Sequence, residues 1–86
     1  MYRVELTKTA FRDLNKLPKH VQNLIIEKLD ILAQNPQLLK NNIKPLKGKY
    51  KGLKRLRVGK YRVIFEEREN ELIILIIRIA HRGEIY

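Results

Sequence analysis

Eighty-six residues with 44% hydrophobic content make one small domain with a thin core, and that content argues against a disordered chain despite 33% charged residues. The absence of cysteine removes disulfides, thiolate metal sites and cysteine nucleophiles. A formal charge of +10 points toward a polyanionic partner.

In chain order, Tyr2, Val4 and Leu6 alternate with Arg3 and Glu5, which predicts a half-buried strand and excludes a secretory signal. Thr7 suits a helix N-cap, and Ala10, Phe11, Leu14 and Leu17 recur at helical spacing behind it. Pro18 breaks that helix and suits the start of another. In the second helix Val21, Leu24, Ile25, Leu29 and Leu32 form the inward stripe, ending at Asn35-Pro36. Pro36 to Gly52 has no period and is expected to be a connection, pinned by Leu38, Leu39, Ile43 and Leu46. Leu53 to Val58 and Tyr61 to Glu67 alternate as two strands about a Gly59-Lys60 turn. Leu72 to Ala80 is apolar at nearly every position, as a central strand would be. This run is too short to cross a bilayer, so a soluble cytoplasmic protein with no membrane association is expected. The order β-α-α-β-β-β predicts the α+β class, a single domain over 1–86 with two N-terminal helices packed on one face of a curved, mostly antiparallel sheet.

The charge is concentrated. Lys40 to Arg62 holds ten Lys/Arg and no acidic residue, while the segments before and after it carry net +2 and −2. Nucleic acid is the first candidate partner, an acidic protein segment the second and an anionic membrane the third. Strand alternation puts Arg55 and Arg57 on one face and Leu56 and Val58 on the other. If Leu56 and Val63 face the helices, Arg55, Arg57 and Arg62 face outward, with Arg82, His81 and Tyr86 at the end of the last strand. Guanidinium groups pair with phosphate oxygens and stabilise the charge of a pentacoordinate transition state, and a tyrosine can stack on a base. Two histidines without cysteine or clustered carboxylates make neither a metal site nor a cofactor site. Solvated arginines on a sheet face are common, so this pattern alone leaves a non-catalytic nucleic-acid-contacting domain and a nuclease both open.

Two segments carry a resemblance. Gly52-Leu53-Lys54-Arg55-Leu56-Arg57-Val58-Gly59-Lys60-Tyr61-Arg62-Val63-Ile64-Phe65 resembles the central hairpin of RelE-type toxins, and His81-Arg82-Gly83-Glu84-Ile85-Tyr86 resembles their His-Arg-x-x-x-Tyr ending. The Leu6-Thr7-Lys8-Thr9-Ala10-Phe11 opening and the Leu46-Lys47-Gly48 step are similar too. The resemblance implies a microbial-RNase-like sheet and a toxin of a type II toxin–antitoxin pair that cuts mRNA in the ribosomal A site. Carried over by position, it implies Arg62 as transition-state stabiliser, Arg82 as its partner at the phosphate or leaving group, and Tyr86 stacked on the nucleotide. Arg55 is a further basic catalytic candidate and His81 a weaker acid–base candidate. Arg57, Lys54, Lys47, Lys49 and Lys51 would hold RNA, the lysines 47, 49 and 51 against ribosomal RNA. The implied partners are a cognate acidic antitoxin, in a hetero-oligomeric complex, and the ribosome. Gly83 departs from the charged residue usual at its position, the ending is expected simply to leave the last strand, and no further helix is expected beyond Tyr86. The related ParE-type toxins, which act on DNA gyrase, share the fold and remain the competing class.

Overall fold

A computed structural model describes residues 1–85, so Tyr86 lies outside the described residues. The elements are β1 (Arg3–Leu6), α1 (Lys8–Asn15), α2 (Lys19–Gln34), β2 (Ile43–Pro45), β3 (Lys54–Val58), β4 (Tyr61–Arg68), β5 (Ile73–His81) and α3 (Arg82–Ile85). Short 3₁₀ stretches, Pro36–Asn42 and Gly48–Tyr50, flank β2. The sheet order is β1-β5-β4-β3-β2; β1 runs parallel to β5, and the other neighbours are antiparallel. This is the expected α+β architecture, with the helices on one sheet face.

The Thr7 hydroxyl accepts from Ala10 N–H at 3.0 Å and starts α1, which buries Ala10 and Leu14. Pro18 is the N-cap of α2; its carbonyl accepts from Val21 and Gln22 N–H at 3.0 Å each. Val21, Ile25, Leu29 and Leu32 pack against Leu56, Val58, Val63, Phe65, Ile74, Ile76 and Ile79 of the sheet. A smaller cluster on the opposite face joins Ile64 and Ala80 to Leu46, Tyr50, Leu53 and Ile77. The expected hairpin is present: Gly59 takes φ +59 at the first turn position while Lys60 keeps a negative φ, the sign pattern of a type II′ turn.

Several expectations need correction. The segment 36–52 contains a three-residue strand, β2, paired with β3, which its lysines and proline conceal in the sequence. A helical turn, α3, follows the last strand where none was expected. Leu24 is 41% exposed instead of buried in the α2 stripe, because it sits beside that stripe and not within it. Leu38, at 71% exposure, pins nothing, whereas Leu39, Ile43 and Leu46 pack against the body as expected. Leu72 is not in a strand but closes the β4–β5 turn at φ +55, where its carbonyl accepts from Arg3 N–H at 2.8 Å. Among the described residues no helix is long and apolar enough to cross a membrane.

Candidate nucleic-acid interface

Register converts the basic run into a surface. Leu56 pairs with Val63 and Val63 with Ile79, all buried on the helix side. The two neighbouring rows therefore point away from the helices. One runs Arg57, Arg62, Ala80, the other Arg55, Ile64, Arg78. Arg57 and Arg62 stand directly opposite each other, an arrangement that brings their Cβ atoms to roughly 5 Å and is unfavourable for like charges. Arg62 Nη1 donates to the Gly59 and Tyr61 carbonyls at 3.0 and 2.9 Å, which folds its guanidinium over the hairpin turn. Arg55 Nη1 donates to the Asn42 carbonyl at 3.2 Å and Arg57 Nη2 to the Asn42 side-chain oxygen at 3.1 Å. These carbonyl and amide acceptors fix the guanidinium groups in place without neutralising them.

Arg82 begins α3, and its N–H donates to the Lys60 carbonyl at 2.9 Å. The sheet thus brings the exposed Arg82 to the turn that Arg62 covers. Lys47, Lys49 and Lys51 are all exposed on the connection that lies over the Ile64/Ala80 cluster. Among the described residues, Lys54 is the one cation of the run 40–62 that meets a carboxylate.

Two candidate residues stand elsewhere. Lys54 has the same parity as Leu56 and lies on the helix side, where its ammonium donates to Glu67 Oε1 at 2.8 Å while Tyr2 OH donates to Glu67 Oε2 at 2.8 Å. The Lys54 bond, with Tyr2 assisting against desolvation, holds Glu67 below the usual carboxylate range. The same contact holds the Tyr2 phenol above its usual value. His81 packs edge-on against Tyr61, with ring centroids 5.8 Å apart. It lines a cavity of about 380 Å³ between α1, β5 and α3, together with Asp13, Lys16, Leu17, Arg78, Ile79, Ala80 and Glu84. Tyr86, the remaining candidate, is beyond the described residues.

The sequence reading passed over Asp13 and Arg78. β1 ends opposite Ile76, which leaves the rest of the β5 edge without a strand partner. The start of α1 takes over: Thr7 N–H donates to the Ile76 carbonyl at 3.0 Å and the Thr7 hydroxyl to the Ile77 carbonyl at 3.0 Å. Asp13 Oδ2 then accepts from Ile79 N–H at 3.0 Å and from Arg78 Nε at 2.8 Å. That carboxylate, first through its hydrogen bond, raises the Arg78 pKa above its ordinary value. The available signal was an arginine interrupting an otherwise apolar strand.

A two-helix layer on a mostly antiparallel sheet, with Arg55, Arg57 and Arg62 on the far face, is the architecture expected of a small toxin of the RelE type. The chain matches the family model described as ParE toxin of type II toxin-antitoxin system, parDE, over residues 4–86, and it belongs to this RelE/ParE family. It is 36% identical to Toxin RelE of Mycobacterium tuberculosis over 86 residues, spanning 99% of this chain and 86% of that protein. Toxin RelG of the same organism is 33% identical, with 99% and 95% covered. Among solved structures, the toxin–antitoxin complex RelBE2 of M. tuberculosis contains a chain that superimposes with a TM-score of 0.82 at 32% identity, covering 94% of this chain and 98% of that one.

Proposed function

We propose that this toxin is a ribosome-dependent endoribonuclease that cuts mRNA in the ribosomal A site. The RNA 2′-hydroxyl attacks the adjacent phosphorus and the P–O5′ bond breaks, leaving a 2′,3′-cyclic phosphate and a 5′-hydroxyl. The carrying observation is the opposed Arg57–Arg62 pair with Arg82 anchored at the same turn. Such a cluster is disfavoured in isolation and suits a phosphate that gains negative charge in the transition state. Arg62 stabilises that charge, Arg82 assists the phosphate or the departing O5′, and Tyr86 stacks on the nucleotide. Arg55 and Arg57 hold neighbouring phosphates, and Lys47, Lys49 and Lys51 meet ribosomal RNA. Lys54, held by Glu67 on the other side of the sheet, is a structural pin in this reading. His81 serves only a group that reaches the edge cavity. In this reading alignment of the 2′-hydroxyl falls to the ribosome, and free RNA is a poor substrate.

The partner in this reading is an acidic antitoxin, supported by the charge of the face and by a relative solved in a toxin–antitoxin complex. The experiment is a translating extract supplied with the protein. Cleavage within A-site codons is expected, and Arg62→Ala or Arg82→Ala abolishes it without lowering the thermal midpoint. The match to a family model named for ParE favours a second reading, gyrase inhibition. Uncut mRNA with a trapped gyrase–DNA complex would establish that reading instead.

A further inference from the structure

Between β2 and β3 the chain folds back as a flap. Leu46 N–H donates to the Leu53 carbonyl at 2.9 Å and Leu53 N–H to the Tyr50 carbonyl at 3.0 Å. Gly48 and Gly52 supply the positive φ values, +65 and +94, that the reversal requires. The underside, Leu46, Tyr50 and Leu53, is seated on Ile64 and Ala80; Lys47, Lys49 and Lys51 form the exposed top. Register fixes what surrounds this contact. Ile64 stands between Arg55 and Arg78, and Ala80 is opposite Arg62, which faces Arg57. A half-buried tyrosine ring therefore lies on the apolar part of an arginine lattice, and the Lys49 ammonium stands 5.2 Å from its ring centroid.

An aliphatic residue would plug the same contact, so packing alone does not call for an aromatic ring. An exposed ammonium–ring contact is weaker than stacking of a base on an aromatic side chain, so a base can displace Lys49 and free it for a phosphate. We propose that Tyr50, with Lys49, forms a nucleobase subsite on the arginine face, where one base of a single-stranded RNA stacks while its flanking phosphates lie on Arg57 and Arg62. The choice of RNA as ligand rests on the nuclease reading above.

The test compares binding of a labelled eight-nucleotide oligouridine and of an abasic strand of equal length, by fluorescence anisotropy with the full chain. The parent should prefer the base-bearing strand. Tyr50→Leu should weaken oligouridine binding about tenfold and leave abasic binding unchanged, while Tyr50→Phe keeps the preference. Equal binding of both strands by the parent overturns the proposal without any variant, even if Tyr50→Leu fails to fold. Equal oligouridine affinity of Tyr50→Leu and the parent overturns it as well. If mRNA is cut by the parent while Tyr50→Leu binds as the parent does, this subsite alone is refuted. Base-dependent binding through Tyr50 without cleavage supports the subsite and refutes only the nuclease reading.

Discussion

Asp13→Ala should be the most destabilising single change outside the apolar core. Asp13 is 12% exposed at its side chain and accepts both Ile79 N–H and Arg78 Nε. Ile79 is 2% exposed, so removing the carboxylate leaves a buried strand N–H without an acceptor, at about 1–3 kcal/mol. The ion pair adds little, about 0.5 kcal/mol, because Arg78 is 42% exposed. Alanine's better helix propensity offsets about 0.5 kcal/mol. The net loss is about 2 kcal/mol, and in a domain of this size that lowers the melting temperature by about 8–16 °C. Asp13→Asn keeps an oxygen for Ile79 and should cost half as much or less, and Arg78→Met should cost only the ion pair. Urea unfolding followed by circular dichroism gives the energies, and amide exchange at Ile79 reports the bond itself. An Asp13→Ala protein within about 0.5 kcal/mol of the parent, with Ile79 still protected, would refute the edge-cap argument.

The other two perturbations are also thermodynamic. The Glu67 pKa is depressed in the folded state, so its contribution is present above the unfolded value near 4.5 and lost as pH falls through the folded one. Glu67→Gln should therefore cost about 0.5–1 kcal/mol at pH 7 and flatten the acid limb of the stability curve; an unchanged acid limb would count against the Tyr2–Glu67–Lys54 network. Leu72 is 51% exposed and held at φ +55, a conformation costing a bulky residue about 1–2 kcal/mol. Leu72→Asn, which tolerates that region, should raise the denaturation midpoint by several degrees, and a fall would contradict the assigned strain.

Hydrophobic period was sufficient to locate both long helices and the strands β1, β3, β4 and β5, because each has a buried face that its pattern must respect. Pairing was less accessible. That β1 lies beside β5 and not beside its sequence neighbour depends on a helix crossover, and nothing in Arg3–Leu6 names its partner. Lys54 could have been assigned to the helix side from its parity with Leu56, and only the net charge of its neighbours suggested otherwise. His81 was harder. The near-continuous apolar run of β5 has no visible parity, and an irregularity between Ile64 and Phe65, where the partner skips from Arg78 to Ile76, shifts it again. Asp13 gave no signal at all, since its acceptor role concerns a backbone N–H 66 residues away.

The opposed Arg57–Arg62 pair has a consequence for the life of the free protein. Any anion that settles between these guanidinium groups binds the folded chain and not the unfolded one, so it acts as a folding ligand whose effect grows with its concentration over its dissociation constant. Under the proposed reading, an antitoxin segment and an RNA strand compete for the same two side chains, and each stabilises the folded chain while bound.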